Sequence, residues 1–258
     1  MMSVEWARVA VGVVLSCGLL ACGGGVETTA GSTTSSGAGG ATVSSTASSG
    51  GAGADAGCTA EIEPSDGGPP VCNGPGSRFV SRVVSTCFGA GQNVGQDALP
   101  AVVAGPPKGG GCCSGSLDVC SLGNGGSITL AFDGNAIVDG PGPDFIVFEN
   151  AFDVGSDPKS VYAELATVEV SADGVTWHAF PCTATAYPYG SCAGWHPVLA
   201  NADDNDIDPL DPATAGGDAF DLADLGVSLA RFVRITDRPD LPSVFDLDAV
   251  AIVNAACP

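Results

Sequence analysis

The chain has 258 residues, among them 38 Gly and 18 Pro, which is too many turn formers for a helical bundle and suits a mostly β protein with a flexible segment. Eight Lys and Arg against 29 Asp and Glu leave a formal charge of −21. That balance excludes a nucleic-acid binder, which needs clustered cations, and peripheral docking onto anionic lipid. The carboxylate surplus points instead to bound cations, Ca²⁺ above all.

In chain order, residues 1–21 read as a signal peptide. Arg8 precedes an apolar run from Val9 to Leu20 that is too short to span a bilayer stably. The run ends in Leu19-Leu20-Ala21-Cys22, followed by Gly23-Gly24-Gly25. This resembles the lipobox of bacterial lipoproteins, which implies acylation of Cys22 and a chain anchored to a membrane without crossing it. Gly23 after the Cys implies an outer-membrane or cell-surface destination.

Residues 22–57 follow as the lipidated Cys and a linker of Gly, Ser, Thr and Ala. Such a segment cannot bury enough apolar surface to offset the entropy of ordering, so a disordered tether is expected, spanning about 30–35 Å. Whatever the protein does is then done away from the lipid headgroups.

Nine cysteines remain beyond Cys22. In an exported protein they read as disulfides, and an odd number leaves at least one thiol unpaired within the chain. Cys182 and Cys192 bracket a Tyr/Pro/Gly loop and are expected to pair. Spacing does not settle the pairing within 58–120.

Residues 58–258 carry strand signals at 78–85, 127–132, 144–149, 166–171, 175–180, 230–236 and 247–253, each rich in β-branched and aromatic residues. Ala172-Asp173-Gly174 reads as a hairpin turn. Only 220–229 has helical tendency, and Gly226 interrupts it. The pattern predicts an all-β domain, an antiparallel β-sandwich or jelly roll, of about 200 residues that buries roughly 70% of its unfolded surface.

Two segments make this more specific. Val168-Glu169-Val170-Ser171-Ala172-Asp173-Gly174-Val175-Thr176-Trp177 and Ala230-Arg231-Phe232-Val233-Arg234-Ile235 resemble the hairpin and strand of discoidin-type, galactose-binding-like sandwiches. A longer stretch is similar to a bacterial family of cell-surface proteins of uncharacterised function, often lipid-anchored. It is carried by Leu122–Leu130, Val138–Phe145, Val147-Phe148-Glu149-Asn150 and Phe245-Asp246-Leu247-Asp248-Ala249-Val250. Such sequences often place Gly-Gly before Phe-Asp-Leu-Asp; here the pair is Ser243-Val244. The resemblance implies a compartment and a fold more than a reaction.

Two acidic groups are candidate Ca²⁺ sites. The first is Asp139, Asp144, Glu149, Asp246 and Asp248, where the turn Asp139-Gly140-Pro141-Gly142-Pro143-Asp144 should hold two carboxylates near one another. Such carboxylates repel unless a cation or hydrogen-bond donors intervene. The second is the 203–211 loop, continuing to Asp218, Asp221 and Asp224, with Asp204, Asp206 and Asp208 as its candidate ligands and no Lys or Arg between Lys159 and Arg231 to neutralise it. Pro209 and Ala215 stand where an EF-hand needs Gly and Glu, which rejects that motif. For both groups a hydrogen-bonded or solvated acidic loop without metal is the competing reading.

Catalytic motifs are absent from the domain: there is no H-E-x-x-H, no G-x-S-x-G and no phosphate-cradling Gly loop before a Lys. Tyr187, Tyr189, Trp195 and His196 are candidates for a sugar-stacking surface, with packing back onto the sandwich as the alternative. The sequence therefore reads as a lipid-anchored, calcium-stabilised binding module with a glycan as ligand. An envelope carbohydrate-active hydrolase and a purely structural or adhesive surface protein are the competing readings.

Overall fold

The computed structural model describes Cys58, residues 65–155, Asp157 and residues 159–258. Cys22 and the tether lie outside the described residues. Fourteen strands occur among those described. The first seven are β1 Arg82–Cys87, β2 Cys120–Ser121, β3 Ser127–Ala131, β4 Ile137–Val138, β5 Phe145–Phe148, β6 Phe152–Asp153 and β7 Val161–Tyr162. There follow β8 Ala166–Ser171, β9 His178–Ala179, β10 Asp218–Phe220, β11 Leu229–Ala230, β12 Phe232–Asp237, β13 Asp246–Leu247 and β14 Ala249–Ile252.

The strands build an all-β sandwich. One antiparallel sheet runs β1-β3-β12-β8-β9 and a second runs β10-β5-β14, with three two-stranded ribbons beside them. In β8 and β12 buried and half-buried residues largely alternate, as expected of strands with one face on a core. β5 instead is the continuous apolar run Phe145-Ile146-Val147-Phe148, buried throughout. Such a strand must be covered on both faces. Phe145 and Val147 enter the main core, while Ile146 and Phe148 pack under Val198, Ala200 and Ala215 from the long 193–217 connection. Phe145, Phe180 and Phe220 form the aromatic centre of the main core, with Phe145 stacked on Phe220 at 5.2 Å.

The expected strand at 78–85 proves to be a crossing between the sheets. Val80 donates its amide to Val250 of β14, and the next residue, Ser81, donates to Ala131 of β3. β1 then continues along β3 with a bulge between Val83 and Ser85. The expected strand at 175–180 shrinks to β9. Asp173 Oδ1 takes the amides of Val175 (2.8 Å) and Thr176 (2.7 Å), which removes them from the ladder. Those bonds also hold the Asp173 carboxyl down at about 2. The helical tendency at 220–229 yields one 3-10 turn, Leu222–Leu225, capped by Asp221 and stopped by Gly226 at φ +65.

The two motifs singled out in sequence meet in this sheet. β8 and β12 pair with Glu169 opposite Arg234, whose Nε donates to Glu169 at 2.7 Å while its guanidinium lies 4.0 Å from the Trp177 ring centre. Among the described residues four disulfides are formed, Cys58–Cys87, Cys72–Cys257, Cys112–Cys113 and the expected Cys182–Cys192. Cys120 is the odd thiol, buried in β2, and burial pushes it up to about 12.

Candidate functional site

The loop closed by Cys182–Cys192 places three aromatic rings together at one edge of the sandwich. Tyr187 and Trp195 lie 5.7 Å apart, Tyr189 and Trp195 5.9 Å, and the two tyrosines 6.3 Å, all edge to face. Trp195 Nε1 donates to the Cys192 carbonyl, and Arg238 donates to the Ala184 carbonyl from beneath the loop. Tyr189 and Trp195 pack partly against Leu165 and the disulfide, while Tyr187 is exposed. The rings converge, and two of them are also packed.

His196 stands beside Trp195, with ring centres 3.6 Å apart. Its Nδ1 lies 2.7 Å from Oδ1 of the buried Asp218, and Asp218 Oδ2 accepts the amides of Gly194 (2.6 Å) and Trp195 (3.1 Å). Burial pushes the Asp218 carboxyl up, opposed first by His196 and then by the two amides. β10 positions Asp218 opposite Val147 of β5. One side chain therefore orients the imidazole and fixes the Gly194-Trp195 backbone. Nε2 is left as the ring nitrogen with no partner among the described residues, available to a ligand hydroxyl.

A buried carboxylate group adjoins this edge. Glu164 bonds Gly194 through the backbone and lies between β7 and β8; Glu149 follows β5; Asp246 opens β13. Glu149 is 1% exposed, and among the described residues no donor bonds either of its carboxylate oxygens. The neighbouring Asn150 amide favours its charged form without meeting hydrogen-bond geometry. Burial raises Glu149 well above the ordinary range, with Glu164 and Asp246 adding to the effect. Burial and Asp246 push Glu164 up to about 7, against the pull of the Val244 amide and the Tyr162 hydroxyl. Asp246 is likewise raised by burial and steadied by the Ser121 hydroxyl.

The structure divides the first acidic group among three places. Asp139 and Asp144 meet Asp221, and among the described residues this is the set that brings three possible ligand atoms within 4.8 Å of one another. Asp144 there is fully buried and already coordinated by protein: Oδ1 accepts from Gly140 N (2.9 Å) and Asn254 Nδ2 (2.8 Å), and Oδ2 from Leu222 N (2.7 Å). Glu149 and Asp246 join the buried group with Glu164. Asp248 turns elsewhere and accepts the Lys108 amide at 2.9 Å.

In the second group the carboxylates serve local turns. Asp208 caps Leu210 N, Asp211 caps Ala213 N, and Asn205 does the same for Ile207 N. Asp204, Asp206 and Asp208 are all exposed. Lys108, distant in sequence, reaches Asp203 at 3.2 Å and so partly neutralises the loop. Beneath it, Phe79, Pro106, Pro107 and Ile207 line a shallow cleft of about 410 Å³.

Glu164 is the site residue that sequence reading missed, and Asp218 and Asp221, read only as the continuation of the acidic loop, take up separate roles. Each acquires its neighbours through strand pairing across long separations, so no local motif marks it. No protein-family model, curated protein or solved structure matches this chain.

Proposed function

We propose that this protein is a lipid-anchored surface module that binds a glycan on the Tyr187–Tyr189–Trp195–His196 edge and is stabilised by Ca²⁺. The observation that carries the reading is the convergence of three rings and an oriented imidazole on one disulfide-pinned loop. Aromatic rings offer apolar faces to the C–H face of a sugar, and a few placed polar groups select its hydroxyls. His196 Nε2 supplies one such group. The carboxylate surplus supports the Ca²⁺ part.

The remainder of the reading comes from the sequence. The Leu19-Leu20-Ala21-Cys22 motif supports acylation and placement at the outer membrane or cell surface. The discoidin-like hairpin and the cell-surface-family motifs support a galactose-binding-like, jelly-roll topology, an analogy of fold that leaves ligand identity to the site. A glycan array probed with the full chain, with and without chelator, tests the proposal. Retention of one class of glycan supports it, and an array without signal in either condition removes it.

One observation favours a second reading, an envelope carbohydrate-active hydrolase. Glu164, pushed up to about 7, and Glu149, raised well above the ordinary range, are two acids near the aromatic edge, and hydrolysis of glycosides uses two carboxyl groups. Turnover of a polysaccharide that is lost in Glu164→Gln would promote this reading over a purely binding role.

A further inference from the structure

Glu149 is a glutamate in the core with nothing to bond. Among the described residues, its two oxygens are the buried side-chain polar atoms left without a hydrogen-bond partner. The charged groups that act on it all have its own sign: Glu164, Asp246 and Asp218. Asp218 is compensated by His196 and two amides. Glu164 has only the Val244 amide and the Tyr162 hydroxyl to steady it, and Asp246 only the Ser121 hydroxyl; among the described residues no Lys, Arg or His pairs with any of the three. A buried carboxylate needs a counter-charge or donors, because losing its water is costly.

We infer that Glu149, Glu164 and Asp246 hold a divalent cation, Ca²⁺, at the end of β5 beside the aromatic edge. The inference rests on the calcium part of the proposed function and assigns that calcium a place. The oxygens are hard ligands from three separate chain segments, which suits Ca²⁺ and its irregular coordination. Exposed Tyr162 and half-exposed Asp246 mark where the cluster meets solvent.

The Asp139–Asp144–Asp221 group is tighter but has less to offer. The bonds to Gly140, Asn254 and Leu222 occupy both oxygens of Asp144, and Asp221 Oδ1 is bonded to Ala223 N. Glu149, Glu164 and Asp246 do not bring ligand atoms within 4.8 Å of one another as a trio. At least one of the three must therefore hold the ion through a water, which places the affinity in the weak class of extracellular modules, about 10⁻⁴–10⁻³ M.

The test is thermal unfolding of the full chain in chelator and in about 10 mM CaCl₂ or MgCl₂. From that affinity, Ca²⁺ should raise the melting temperature by roughly 3–10 °C, and Mg²⁺ by less. Glu149→Gln should melt above the wild type in chelator, because the uncompensated charge is gone, and should lose the Ca²⁺ increment. Asp246→Asn should also lose the increment, and it carries the test if Glu149→Gln does not fold. Asp139→Asn should keep it. A wild-type increment that persists in Glu149→Gln and Asp246→Asn but vanishes in Asp139→Asn would overturn this placement alone. A wild type unmoved by Ca²⁺ would overturn both the placement and the calcium part of the proposed function, leaving the glycan part to the array.

Discussion

Replacing Asp144 by Asn changes one atom of the side chain and should unfold the protein well below its normal melting temperature. Asp144 is 0% exposed and accepts three hydrogen bonds, from Gly140 N, Asn254 Nδ2 and Leu222 N. These bonds tie the 139–144 turn to the start of the 222–225 turn and to the residues after β14. An Asn offers one oxygen and one NH₂, so in either orientation an N–H is set against at least one of these donors. A buried donor left unsatisfied costs about 1–3 kcal/mol, and each remaining bond weakens as the acceptor loses its charge. The expected loss is about 3–5 kcal/mol, or roughly 6–20 °C for a domain of this size. Urea unfolding of wild type and Asp144→Asn in chelator, and again in Ca²⁺, measures it. The loss should be the same in both conditions. A loss below about 1 kcal/mol in both conditions would show that Asp144 is not a clamp on these amides, and a loss seen only with Ca²⁺ would show it to be a metal ligand.

Three further outcomes are expected. Burial raises the Asp248 carboxyl from an ordinary 3.8 to about 8, with Asp118 adding to the effect. The folded state therefore binds this proton more tightly than the unfolded chain does, so stability in chelator should fall as pH rises from about 4 to 8. Asp248→Asn should flatten that fall in melting curves taken across the range, and an unchanged slope would reject the assignment. Cys120 should resist alkylation in the native protein and react only in denaturant, while a non-reduced digest should yield a linked Cys182–Cys192 peptide; a native Cys120 adduct would contradict the burial of its thiol. Cys22→Ser should release the chain from membrane fractions and abolish acyl labelling, and a variant that stays bound and acylated would end the lipobox reading.

The sheets were largely legible because their signals are local. The alternation in 166–171, the turn at Asp173 and the continuous apolar run at 145–148 each fix the environment of a strand from a few neighbouring residues. Cys182–Cys192 was legible for the same reason, since a short loop closes on itself. What stayed hidden depends on which distant strands pair. Asp246 and Asp248 are spaced as same-face residues of one strand, but the chain breaks at Asp248 between β13 and β14, and its carboxylate turns to Lys108. Glu164 reaches the site only because its backbone pairs with Gly194, and Asp218 only because β10 lies on β5. The acidic loop looked unneutralised because Lys108 is far away in sequence, although it is close in space.

The most direct test of the central claim compares two tryptophan variants of the full chain on one glycan array. Trp195 belongs to the aromatic edge, while Trp177 packs under Arg234 of β12. The account predicts that Trp195→Ala loses the glycans retained by wild type and that Trp177→Ala keeps them. Wild-type retention that survives Trp195→Ala, or that is lost only with Trp177→Ala, would contradict it.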